Sequence, residues 1–160
     1  MTYADIFNLD LTGKTVVIIG CPASGKTTLG KALAGRTGAK LIHTDNYMDF
    51  GYKEALYVML ADLIEIDEPV IVEGVQGYRL LRKGVEMNNF YPDAVIELEV
   101  TEAQVKRVYE KERIWDKRKS AENVLASLAG FNKMHQTILN KYREMENPHP
   151  PTWYTVRNEF

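Results

Sequence analysis

Gly20, Gly25, Lys26 and Thr27 stand at the fixed positions of G-x-x-x-x-G-K-T. By average residue usage that spacing arises by chance in roughly one chain of this length in two hundred. Each type has a task. The two glycines allow a close turn of backbone whose N–H groups point inward and form a nest for phosphate oxygens. Pro22, Ala23 and Ser24 complete the loop, with Pro22 stiffening it, and Thr28 falls in the helical turn that follows. A helix starting near Gly25 adds free amides and its positive dipole end. Lys26 supplies a mobile charge for β- and γ-phosphates, and the Thr27 hydroxyl suits Mg²⁺, which takes few protein oxygens. Cys21 occupies a variable position and reads as a small loop filler rather than a redox-sensitive thiol.

Other candidates lie further on. Asp45 and Glu73 each follow a short apolar run. Asp45 is placed to accept a proton from a hydroxyl nucleophile and to hold an acceptor in line. Glu73 is placed to hold a Mg²⁺-bound water. The competing readings are an Asx turn for Asp45 and an ion pair for Glu73. The segment 106–119 carries Lys106, Arg107, Lys111, Arg113, Lys117, Arg118 and Lys119 among Glu110, Glu112 and Asp116. Such runs are usually solvated faces with i,i+4 pairs. After a fourth strand, however, a flap here brings an arginine, Arg113 or a neighbour, over a transferring phosphoryl. Arg79, Arg82 and Lys83 make a second basic cluster, which either binds an anionic substrate group or solubilises a short helix. Tyr47 and Tyr78 fall near the acceptor side and either stack on a base or sugar or pack in the core. His43 and His135 read as packed residues, His149 carries no signal, and no Cys/His set has zinc spacing.

These residues need elements to position them. β-branched, apolar runs at 15–19, 40–43, 70–73, 94–100 and 152–156 predict strands, the first apolar on both faces as a central parallel strand requires. Helical stripes cover 26–36, 53–66, a short stretch 78–83 ended by Gly84, a charged helix opened by the Thr101/Gln104 capping box, and 120–145. Residues 1–14 are a lead-in whose Ile6, Phe7, Leu9 and Leu11 pack on the sheet edge. Alternating strands and helices imply a parallel sheet with right-handed crossovers. Ligands gather at the carboxyl ends of such strands.

Composition bounds the rest. With 160 residues, 45% apolar and 26% charged, the chain suits one soluble domain, residues 1–160, with a lid at about 102–119. A net charge of −2 provides no global basic field for nucleic acid. A single cysteine excludes an internal disulfide and suits a reducing compartment. The first residues lack a basic region before an apolar core, and no run approaches a membrane span, so a cytoplasmic protein without a membrane partner is expected.

Over most of residues 15–157 the chain resembles P-loop kinases of the nucleoside/nucleotide kinase group, and among them uridine kinase-like proteins. Gly20 to Thr28 carries the superfamily likeness. His43-Thr44-Asp45-Asn46-Tyr47 resembles the family's aspartate-tyrosine segment after strand two, and Val70-Ile71-Val72-Glu73-Gly74 its V-x-x-E-G segment. Arg107, Arg113 and Arg118 resemble its arginine-rich lid, and Arg157-Asn158 falls where the family passes the adenine ring. The resemblance implies an α/β fold, the three-layer α/β/α sandwich of P-loop NTPases, with five parallel strands in the order 2-3-1-4-5. It also implies ATP, Mg²⁺ and a hydroxyl-bearing small molecule, such as a nucleoside or nucleotide. The P-loop and Thr44-Asp45-Asn46-Tyr47 are also similar to polynucleotide 5′-kinase, which leaves a 5′-hydroxyl end as a second acceptor. A switch module that hydrolyses ATP is a third reading. A dinucleotide-binding Rossmann domain is disfavoured, because G-x-G-x-x-G is absent.

Overall fold

The computed structural model describes residues 1–21, 24–99, 101–103, 106 and 121–157. Five strands form one parallel sheet: β1 (Val16–Gly20), β2 (Lys40–His43), β3 (Val70–Glu73), β4 (Ala94–Glu99) and β5 (Thr152–Arg157). Their order is β2-β3-β1-β4-β5, as the sequence implied. β1 lies between β3 and β4, with Ile18 level with Glu73 and with Ile96. Its central place explains its composition. Val16, Val17, Ile18 and Ile19 are all wholly buried, and each such side chain contributes about 1.5–3 kcal/mol by leaving water.

The two-residue period of the strand divides the core into two. Val17 and Ile19 face α3 (Glu54–Glu65), α4 (Gly77–Glu86) and α5 (Ala121–Glu144), where Leu56, Leu60, Leu81 and Leu139 meet them. Val16 and Ile18 face α1 (Tyr3–Phe7) and α2 (Lys26–Thr37), against Ile6, Leu29 and Leu33. α1 is held by a capping box between Thr2 and Asp5, and Thr2 bridges to Arg157 at the β5 edge. The lead-in thus covers the sheet with Ile6 and Leu11, and Phe7 and Leu9 pack beside them.

One local expectation is corrected. Gly84 does not end α4, which continues to Glu86. A Cβ at Gly84 would come within 2.8 Å of Phe90, so this glycine serves contact rather than termination. Residues after β2, for which the sequence predicts no element, form a 3-10 helix, Thr44–Phe50. The expected lid lies largely outside the described residues. Among those described, no helix is long and apolar enough to cross a membrane.

Candidate active site

The carboxyl ends of β1, β2 and β3 place three functional segments side by side. β1 ends at Gly20, where a Cβ would come within 2.5 Å of Ser24 Oγ, so only glycine lets the loop fold back. Ser24 is fully buried and its N–H donates to Cys21 O. Gly25 takes φ +92° at the helix boundary and provides no side-chain cap to α2. The first amides of that helix are therefore left for a ligand, in the manner of a phosphate site. Thr27 and Thr28 lie exposed in the first turn. Pro22 and Ala23 lie outside the described residues.

Lys26 is buried, and its ammonium donates to Cys21 O at 2.6 Å and to Ser24 Oγ at 3.3 Å. Burial pushes its pKa below the ordinary lysine range, against the opposing pull of Cys21, Glu73 and Asp45. Both carboxylates are therefore within electrostatic reach of the loop cation. Burial raises the Cys21 thiol, which favours the neutral filler over a reactive thiolate.

Glu73 ends β3, almost wholly buried. Its Oε1 accepts from the Thr27 hydroxyl at 3.2 Å and pairs with His43 Nδ1. The β2–β3 register sets that pairing, because His43 and Glu73 stand opposite one another. α2 approaches closely here: a Cβ on Gly30 would lie 3.3 Å from Glu73 Cγ. The next residue, Gly74, has φ +143°, and a Cβ there would fall 1.8 Å from Thr44 Oγ1. Thr44 is buried against that turn. Asp45 follows it, exposed and without a hydrogen-bond or ion-pair partner among the described residues.

The Thr27 hydroxyl and the Glu73 carboxylate are hard oxygen donors that already touch, which fits Mg²⁺. Among the described residues no group of three or more His, Cys, Asp or Glu could hold a metal on its own. That suits an ion whose remaining ligands are phosphates and water rather than one caged by protein.

The other expected site residues distribute differently. Tyr47 donates to Asp62 Oδ2 at 2.7 Å, and burial with that bond pushes its phenol up to about 12. Its hydroxyl is thus committed to α3 rather than to an acceptor. Tyr78 is buried, stacked on His135 at 3.9 Å between centroids, and raised by burial. It lies on the β4/α5 side, where it shares a cavity of 320 Å³ with Cys21, Glu97, Gln136 and Arg157. It is a core residue beside the loop, not a partner of Asp45. Arg157 therefore meets the loop across that cavity, while Asn158, Arg107, Arg113 and Arg118 lie outside the described residues. Arg79 and Arg82 line a second cavity between α3 and α4. His43 is the site residue that sequence reasoning passed over, and its role depends on strand register, for which no local motif exists.

The sequence matches no family model and no curated protein. The fold is that of solved P-loop kinases. It is similar to shikimate kinase from Bacteroides thetaiotaomicron, with TM-score 0.60 and 15% identity over 90% of this chain and 86% of that one. It is also similar to shikimate kinase from Acinetobacter baumannii in complex with shikimate, with TM-score 0.56 and 16% identity over 92% and 88%. A putative kinase from Chloroflexus aurantiacus gives TM-score 0.51 and 14% identity over 91% and 89%.

Proposed function

We propose that this protein is an ATP- and Mg²⁺-dependent phosphotransferase that moves the γ-phosphoryl of ATP to a hydroxyl of a small molecule. The observation that carries the reading is the convergence of Lys26, the Thr27–Glu73 pair and Asp45 at adjoining strand ends. A nucleotide-binding loop alone would equally suit a switch. A carboxylate next to it, without a partner among the described residues, supplies what transfer to an alcohol needs.

The loop amides and the α2 N-terminus bind the phosphates. Lys26 leaves Cys21 O and Ser24 Oγ to reach the β- and γ-phosphates. Thr27 and Glu73 would hold Mg²⁺, which when bound offsets phosphate charge. Asp45 orients the acceptor hydroxyl and takes its proton as that oxygen bonds to the γ-phosphorus and the β–γ bridge oxygen leaves with ADP. A phosphoryl transition state is loose, so alignment by Asp45 contributes alongside its basicity. Lid arginines among Arg107, Arg113 and Arg118 would complete the charge around the phosphoryl, and Arg157 with Asn158 would border the base.

An ATP-consumption screen over nucleosides, nucleotides, sugars, other small metabolites and 5′-hydroxyl oligonucleotides, with a no-acceptor control, tests this. Slow basal turnover that rises strongly with one small molecule is expected. Fast basal hydrolysis that no acceptor raises would establish the switch instead. Response to oligonucleotides alone, weakening steeply with salt, would establish the polynucleotide kinase.

A further inference from the structure

The cleft between α3 and α4 is lined by a cluster of cations and aromatic rings. It is a cavity of 410 Å³, a volume typical of small-ligand sites. Lys53, Arg79, Arg82 and Lys83 line it, with Glu86 as its one carboxylate. The whole chain has net charge −2, so this concentration of cations is local. Arg79, Arg82, Lys83 and Glu86 recur at the spacing of one helical face, and α4 turns that face to the cleft.

Carboxylates neutralise these cations only in part, Glu86 pairing with both Arg82 and Lys83. Arg79 has no carboxylate partner among the described residues. Its guanidinium stacks on the Tyr52 ring, with Cζ 3.4 Å from the centroid, and one Nη1–H bond to Gln76 Oε1 fixes its turn. Burial lowers its pKa, as for a cation partly withdrawn from water. Arg82 reaches Glu86 through Nε at 3.0 Å, which leaves its terminal amino groups facing the cleft. Lys83 meets Glu86 at 3.3 Å and lies over Tyr57. Two guanidiniums held by stacking and by single hydrogen bonds form the donor array that matches a carboxylate or phosphate.

Position links this cleft to the reaction. α4 begins three residues beyond the Gly74 turn that follows Glu73, and Tyr52 and Lys53 close the segment that opens with Asp45. Arg79 lies in the first turn of α4, and Arg82 is one turn further, about 4.5 Å along the axis. The charged face thus descends from the carboxyl edge of the sheet, on the Asp45 side.

We propose that the α3/α4 cleft binds the anionic group of the acceptor, a carboxylate or phosphate, through Arg79 and Arg82, so that the substrate is a hydroxylated acid or a phosphorylated polyol rather than a neutral nucleoside. The inference rests on the kinase reading and deepens it. The test uses matched probes: ribose against ribose 5-phosphate, and glucose against glucuronate. Calorimetry measures each probe's binding to the protein with its loop filled by a non-hydrolysable ATP analogue and Mg²⁺, in wild type and in Arg79→Gln/Arg82→Gln. The expected result is that at least one anionic probe binds at millimolar concentration, its neutral counterpart binds at least tenfold more weakly, and the double variant loses about tenfold or more. Retained affinity for the ATP analogue shows the variant folded. Equal binding of charged and neutral probes, absence of binding by both anions, or unchanged affinity in the double variant overturns the proposal. Salt dependence distinguishes carboxylate from phosphate sources only in degree, so the ribose and glucose pairs make that distinction directly. If the cleft binds anions yet no acceptor is phosphorylated in the wider screen, the kinase reading fails and the anion site stands.

Discussion

Replacing His43 by leucine removes one of the two donors that hold the Glu73 carboxylate. That carboxylate is 6% exposed and the His43 side chain 29%. A hydrogen bond to a charged group contributes about 1.5–3 kcal/mol, and an orphaned buried acceptor loses its desolvation cost in full. Thr27 still donates to Oε1, and water can enter where the imidazole was. The loss therefore falls at the low end, about 1.5 kcal/mol, or about 3–6 °C in melting temperature for a domain of this size. His43→Asn is the informative partner. Its amide nitrogen is attached to Cγ as Nδ1 is, so it offers a donor in nearly the same place and recovers most of the loss.

Urea unfolding of the nucleotide-free protein reads the stability term. Calorimetric ATP titrations with and without Mg²⁺ read the functional one. His43→Leu should leave metal-free ATP binding unchanged and shrink the increment that Mg²⁺ adds, because a carboxylate no longer fixed opposite Thr27 costs more to position. A double-mutant cycle with Glu73→Gln isolates the pair, and coupling of about 1 kcal/mol or more is expected. Strict additivity, or a leucine variant as stable as wild type, would refute the reasoning. So would His43→Asn losing as much as His43→Leu.

Asp45→Asn should keep ATP affinity and lower single-turnover transfer by about 10²–10⁴, towards the smaller figure if alignment outweighs basicity; transfer at the wild-type rate would make Asp45 a turn former. Gly74→Ala should destabilise the fold by about 2–5 kcal/mol, since it combines φ +143° with a Cβ 1.8 Å from Thr44 Oγ1; an unchanged urea midpoint would show that the turn relaxes freely. His135 is buried and desolvation holds its pKa at about 4, below the ordinary 6.5. The unfolded chain therefore takes up the proton first, so this residue's full contribution is present above about pH 6.5 and drains away as pH falls towards 4, by about 3 kcal/mol at most. His135→Phe should flatten the difference in urea midpoint between pH 7 and pH 4, and parallel wild-type and variant curves would remove His135 as the cause.

Much of the fold was legible because the central strands β1 and β3 are short β-branched runs between turn signals, and a strand buried on both faces shows no alternation to confuse with a helix. The strand order came from the family resemblance, since periodicity carries no information on which strands are neighbours. Short elements escaped: the Thr2–Asp5 capping box that opens α1 could have been read, whereas the 3-10 helix after β2 lacks any comparable mark. At the site, the loop was visible because its contacts are local in sequence. The His43–Glu73 pair was not, because 30 residues separate its members and only the β2–β3 register joins them. The sequence alone leaves Tyr78 open between a contact with a base or sugar and a place in the core. It precedes the inward-facing Leu80 and Leu81, and its ring completes the same buried layer, as the core alternative required.

The resting arrangement divides the chemistry unequally. On the nucleotide side Lys26 and Glu73 are already held: Lys26 by Cys21 O and Ser24 Oγ, Glu73 by Thr27 and His43. On the kinase reading a phosphate entering the loop would exchange those bonds for its own, so the affinity Lys26 contributes would be a difference between two sets of hydrogen bonds. On the acceptor side Asp45 is exposed and unheld among the described residues. The backbone that carries it is fixed by the packing of Thr44 against Gly74 and by the 3-10 helix that Tyr47 ties to Asp62. A nucleotide site built in advance beside a carboxylate that waits for its partner has a kinetic consequence. On the proposed kinase reading, ATP would bind without committing to hydrolysis, and the acceptor, by orienting Asp45 and excluding water, would decide when the phosphoryl moves.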